Sequence, residues 1–135
     1  MDYILPAYDG FLPYWLLFIA IVSVFNTVQC YVTTSLTRRV YAGPASSQVT
    51  PLSARTFGTW TLLSSVIRFY AAYRIDDNDF YSLALWTYVI ALAHFGSELL
   101  VYKTAKLNQG ISPTLVVAVS SLLWMLVQRE YYVKT

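Results

Sequence analysis

Apolar residues gather into four long runs, and the polar residues cluster in short breaks between them. A bilayer core needs about 20 mainly apolar residues per helix. The runs at approximately 13–34, 52–74, 80–102 and 113–132 meet that length. The first opens with Tyr14 and Trp15, aromatic residues suited to a membrane–water interface. The fourth opens with Pro113, a residue favoured in the first helical turn, and ends near Tyr131 and Tyr132. The breaks carry turn chemistry: Gly43, Pro44, Ser46 and Ser47 after the first run, Asp76, Asp77, Asn78 and Asp79 after the second, and Asn108, Gln109 and Gly110 before Pro113. The pattern predicts an all-α integral membrane protein, a four-transmembrane-helix bundle forming a single membrane domain over residues 1–135.

Composition agrees with the pattern. Apolar residues make up 57% of the chain and charged residues 12%, about half the charged share of a soluble domain. A chain this short exposes much of its area, and so few charges could not cover it in water. Lipid is the expected solvent. The net charge of +2 gives no reason to expect a nucleic-acid partner, and Cys30, the one cysteine, excludes a disulfide framework or thiol metal cluster. The first run is too long for a signal-peptide core and is preceded by Asp2 and Asp9 instead of basic residues. Arg38, Arg39, Arg55, Lys103 and Lys106 fall on one side of the folded-back chain, against Arg74, Arg129 and Lys134 on the other. The positive-inside rule then puts both long loops in the cytosol and both termini across the membrane.

Ionisable groups within a span are costly and mark sites to inspect. They are Arg55, Arg68, His94 and Glu98, with Asn26 and Gln29 as neutral neighbours. Folding the chain about Asp77 sets Glu98 level with Arg55 and Thr56, His94 level with Trp60, and Arg68 level with Trp86. Folding it through the first long loop sets Asn26 near Trp60 and Gln29 near Phe57. One polar layer is therefore expected in the cytosolic half, with Arg68 near the opposite end and snorkelling to the headgroups. His94 and Glu98, four residues apart, share a helix face. They admit two readings: an intramembrane acid–base pair acting on a lipid or sterol, or a structural layer in which Arg55 neutralises Glu98 while His94, Asn26 and Gln29 hydrogen-bond between helices. The structural reading is the commoner use of such groups. One His and one Glu are too few ligands for a metal, and no phosphate loop, nucleophile elbow or HExxH motif is present. Trp60, Trp86 and Trp124 are expected to pack in the bundle or at the membrane interfaces, Thr59, Thr61, Ser64, Ser65, Ser97, Ser120 and Ser121 to allow close helix approach or back-bond to their own helices, and Arg38 and Arg39 to signal topology or meet anionic lipid or a partner.

The stretch Leu52-Ser53-Ala54-Arg55-Thr56-Phe57-Gly58-Thr59-Trp60-Thr61 resembles the hallmark of the ergosterol biosynthetic protein 28 family. So do Trp15-Leu16-Leu17-Phe18, Thr37-Arg38-Arg39-Val40-Tyr41, His94-Phe95-Gly96-Ser97-Glu98, and Pro113 with Leu115-Val116-Val117, Leu123-Trp124-Met125 and Tyr131-Tyr132. The similarity runs in order from about Leu12 to Val133, with a cadence like that of the fungal branch. It implies a non-catalytic scaffold of the endoplasmic reticulum membrane, with no cofactor and no catalytic residue to carry over. The partners implied are the sterol C-4 methyl oxidase, the sterol C-4 decarboxylase of the 3-beta-hydroxysteroid dehydrogenase type and the 3-keto sterol reductase, with a link to a sterol methyltransferase. Two other functions stand beside it: an isomerase-like sterol enzyme using His94 and Glu98, and a sterol-binding or lipid-transport bundle. Homo-oligomerisation is left open.

Overall fold

In a computed structural model the protein is described at residue 6 and over residues 10–41, 47–104 and 111–133, and all its regular structure there is helical. The order is α1 (Leu12–Val32), α2 (Ser35–Val40), α3 (Pro51–Tyr73), α4 (Asn78–Leu100), α5 (Ser112–Val127) and α6 (Arg129–Tyr132). Gly43, Pro44, Ser46, Lys106, Asn108, Gln109, Gly110, Lys134, Asp2 and Asp9, used above for turns and topology, lie outside the described residues.

Local chemistry explains the helix ends. Pro51 occupies the first turn of α3, and the Thr50 and Ser53 side chains satisfy each other's backbone N–H groups across it. Asp77 accepts from the N–H groups of Asp79 (2.9 Å) and Phe80 (3.1 Å), so α4 starts at Asn78, two residues ahead of the expected Phe80. At the start of α1, Gly10 holds φ +93°, a conformation costly for any side chain. A Cβ there would also collide with the Tyr132 hydroxyl, which accepts from Leu12 N–H at 3.3 Å.

Two elements depart from the sequence expectation. The fourth run is not one helix: α5 ends at Val127, and Gln128 breaks it before α6. Gln128 Oε1 accepts from Trp124 Nε1 at 2.6 Å, and Arg129 reaches across to Asn78 and Ser82 at the start of α4. The tail is thereby drawn over the end of the bundle to Leu12. The first run ends at Val32, and the short helix α2 follows it. α2 folds back on the bundle through buried Val40, and through Thr37, whose hydroxyl donates to Cys30 Sγ at 3.7 Å.

The long helices run up and down. Ser65 donates to Ala20 O at 2.7 Å and Thr27 to Gly58 O at 3.2 Å, tying α1 to α3. α4 packs on α3 and α5. Trp15 of α1 donates to Ser121 of α5 at 2.8 Å and closes the ring. Leu12, Leu16, Ala71, Ala72, Ile75, Tyr81, Ala84, Tyr88 and Met125 form a core towards the end that carries the α3–α4 turn. α1 and α4 are long and apolar enough to cross a membrane, yet only 33% and 28% of their apolar windows are buried within the protein. Phe18, Phe25, Val28, Leu63, Leu83, Trp86, Ile90, Leu123 and Leu126 all face outward. This surface suits lipid. α3, with its Ser, Thr and Arg residues, is less apolar than α1 and α4, and α5 is 16 residues long, so neither meets the same criterion alone.

Candidate functional site

The expected polar layer lies where α2, α3 and α4 meet. On α3, Phe57, Trp60, Ser64 and Arg68 recur at helical spacing and form one stripe. Opposite them α4 presents His94 and Phe95. α2 delivers Tyr41, whose hydroxyl lies 2.6 Å from His94 Nε2. The rings of Tyr41, Phe57, Trp60, His94 and Phe95 touch one another at centroid distances of 5.0–6.4 Å, mostly tilted or edge-on. Such packing orients each ring. Burial first, and then the nearby Glu98 carboxylate, push the Tyr41 phenol above its ordinary pKa, so it stays neutral at physiological pH.

A cavity of about 530 Å³ opens beside this cluster, lined among others by Tyr41, Phe57, Trp60, His94, Glu98 and Thr104. Its size falls within the range of small-molecule sites. Glu98 accepts a hydrogen bond from the Thr104 hydroxyl, and its main-chain carbonyl accepts from Thr104 N–H at 2.8 Å. Two expectations therefore hold: His94 is level with Trp60, their rings 5.6 Å apart, and His94 and Glu98 face one space.

Three others do not. Arg55 and Glu98 form no ion pair; Arg74 pairs with Asp77, at 3.9 Å. Arg55 is exposed because it sits two residues before Phe57, about 200° around the helix and so away from α4. Asn26 and Gln29 make no side-chain hydrogen bond between helices: Gln29 is exposed, and Asn26 borders a second cavity. Arg68 does not snorkel. It lies eleven residues after Phe57, about three turns, so it points inward. It is 7% exposed, donates from Nε to Thr87 Oγ1 at 3.0 Å and lies 4.1 Å over the Tyr88 ring. Holding a cation there costs at least roughly 2.5–3.5 kcal/mol if the surroundings are lipid.

Sequence reasoning missed Tyr41, Thr104, Thr87 and Tyr88 as partners of these groups. For Thr87 and Tyr88 a signal existed: the fold-back that set Arg68 level with Trp86 brought both within one turn of it. Thr59, Thr61 and Ser120 back-bond to Arg55, Phe57 and Val116 as expected, and Trp124 packs on Trp15, whereas Trp86 is exposed on the outer face of α4, and Arg38 and Arg39 are also exposed.

A family model described as Erg28 like protein matches residues 12–123, from the start of α1 into α5. The chain belongs to this family. Ergosterol biosynthetic protein 28 of Candida albicans is 52% identical over 92% of this chain and 89% of its own length. That of Saccharomyces cerevisiae is 54% identical over 91% and 83%, and the Homo sapiens homologue 45% identical over 87% and 84%. No solved structure matches. Membership in the ergosterol biosynthetic protein 28 family connects the chain with ergosterol biosynthesis, and the matched region contains the Tyr41–His94 cluster and Arg68.

Proposed function

We propose that this protein is a non-catalytic, multi-pass scaffold of the endoplasmic reticulum membrane that gathers the sterol C-4 demethylation enzymes: the methyl oxidase, the decarboxylase and the 3-keto reductase. Family membership across most of the chain carries this reading. The outward apolar faces of α1, α3, α4 and α5 support it, because they offer broad lateral surfaces to neighbouring membrane helices. All four long helices cross the bilayer in this reading, with α6 completing the reach of α5 and with Arg38, Arg39, Arg55 and Lys103 at the cytosolic end. Tethering raises the effective concentration of one enzyme beside the next without altering either active site. A sterol intermediate released by one is then captured before it diffuses away.

The test is affinity purification of the full chain in mild detergent, with the co-purifying proteins identified. Recovery of the demethylation enzymes, and no turnover of a C-4-methyl sterol by the purified chain alone, is the expected result. Turnover by the chain alone sinks the scaffold. Single cysteines at Gln48 and Asp79 should label from opposite sides of the membrane; labelling from one side breaks the topology.

A second reading is kept alive by one observation: His94 and Glu98 line a common cavity large enough for a small ligand. In that reading the chain is a sterol isomerase, and Glu98→Gln abolishes turnover while the protein stays abundant.

A further inference from the structure

A second cavity, of about 290 Å³, lies between α1, α3, α4 and α5, on the other side of the aromatic wall formed by Phe57 and Trp60. Arg68 and Tyr88 form its inner end, and Arg39, Leu36 and Pro113 border it at the end that carries α2. From Phe57 to Arg68 it runs along α3 for about 16 Å. Its lining contains two arginines and no carboxylate.

The chemistry of the inner end is unbalanced. A guanidinium offers five N–H donors. Arg68 spends one, from Nε to Thr87, and its two terminal nitrogens make no hydrogen bond among the described residues. Beside it the Tyr88 ring lies under the guanidinium at 4.1 Å, with its hydroxyl buried on the Ser121 side. Ser23, also in the wall, has turned its proton to Ile19 O at 2.7 Å and offers only lone pairs to the cavity. An arginine with a purely structural task would be expected to meet an acid or saturate its donors on carbonyls. This one keeps free donors in the wall of a largely apolar slot, with the Tyr88 ring against its face and no acid in the lining.

We propose that the slot binds an amphiphile with a small oxyanion head, carboxylate or phosphate, and a single apolar body. The head pairs with the free edge of the Arg68 guanidinium. The body lies along Phe57, Trp60 and Ala118, and Arg39 at the mouth assists entry of the anion. This site is separate from the His94–Glu98 cavity and does not depend on the scaffold reading.

Trp60 borders both cavities and reports on occupancy of either, whereas Arg68 and Ser64 line only the slot, so their variants assign the signal to it. The full chain in neutral detergent is titrated with three probes brominated along the chain: a fatty acid, its methyl ester and a lysophosphatidic acid. The signal is the quenching lost in Trp60→Phe. At least one of the two acids should bind ten-fold or more tightly than the ester, and whichever binds better identifies the head group. Arg68→Met should abolish that preference. Ser64→Leu, which fills the slot one turn from Arg68 and keeps the cation, should weaken acid binding ten-fold or more, and it reads the proposal if Arg68→Met fails to fold. Equal quenching by acid and ester, no quenching by any probe, or undiminished acid binding in Ser64→Leu overturns it.

Discussion

The two faces of α3 solve opposite problems. Its seam with α1 is made of small residues: Ala20, Ser23 and Thr27 on one side, Ala54, Gly58 and Ser65 on the other. The backbones approach until side-chain hydroxyls reach carbonyls on the opposite helix, and a Cβ on Gly58 would stand 2.9 Å from that of Cys30. Its seam with α4 is made of rings and long polar side chains, Phe57, Trp60 and Arg68 against His94, Phe95 and Tyr88. Bulky groups hold those helices apart and leave the two cavities. In lipid, where apolar burial no longer drives helix association, tightness comes from small residues and close contacts. The α1–α3 seam therefore supplies cohesion, and the α3–α4 side has room for a ligand.

The comparison breaks most readily at Gly58. Gly58→Leu drives a branched side chain into Cys30 and the main chain of Thr27, neither of which can swing aside. Overpacking of this kind costs about 1–3 kcal/mol, with the upper end expected here. The measurement is unfolding of the purified chain in mixed detergent micelles, together with its steady-state level in cells. Wild-type stability would show that the seam is looser than its geometry.

On the other side of α3, the corresponding test is Tyr41→Phe. It leaves His94 Nε2 without its partner in a half-buried site, and about 1 kcal/mol should be lost. The difference has a pH signature. The folded-state pKa of the Tyr41 phenol is raised, so its stabilising contribution is fully present below the unfolded value of about 10 and declines as pH rises through the folded value. The gap between wild type and Tyr41→Phe should stay flat to about pH 10 and then narrow. A gap that widens above pH 10 would mean that the phenolate, not the phenol, is the favoured form.

Depth was legible in the sequence, and direction only in part. Counting from the acidic turn placed His94 beside Trp60 and Arg68 beside the Trp86 turn, and both depths are observed. Counting through the first loop placed Asn26 near Trp60, and the Ser65–Ala20 and Thr27–Gly58 bonds show the same register within a residue. A span's length and its turns fix depth, because the rise per residue is constant. Direction depends on which stripe faces a neighbour, and apolar residues surround these helices on every side, so no hydrophobic stripe marks the inside. Arg55 and Arg68 were thus each given the wrong direction at the right depth. Helix α2 was missed for another reason: six residues with two arginines carry too little periodicity to separate a short helix from a polar loop.

Gly96 sharpens the contrast with Gly58. A Cβ there meets nothing within 4 Å, and the residue lies inside α4. Gly96→Ala should therefore stabilise the isolated chain by about 0.5–1 kcal/mol through helix propensity alone. Thermal unfolding in detergent reads this directly. If the substitution instead lowers recovery of co-purifying enzymes while the chain itself gains stability, the open space over Gly96 is where a partner helix approaches closely.

The smallest effect expected is at Arg55, where the sequence suggested a large one. A buried pair with Glu98 would make either single substitution costly by roughly 3–5 kcal/mol. The structure turns Arg55 to the outside and gives Glu98 to Thr104. Arg55→Ala should then change stability by no more than about 0.5 kcal/mol, as for other exposed positions. Glu98→Gln keeps an acceptor for the Thr104 hydroxyl and should also be mild. In a double-mutant cycle, independent residues add within about 0.3–0.5 kcal/mol, whereas a pair in contact leaves a coupling term above that. Additivity is the expected outcome. A coupling of 1 kcal/mol or more would mean that the two charges meet after all, and that α3 is rotated from the position described.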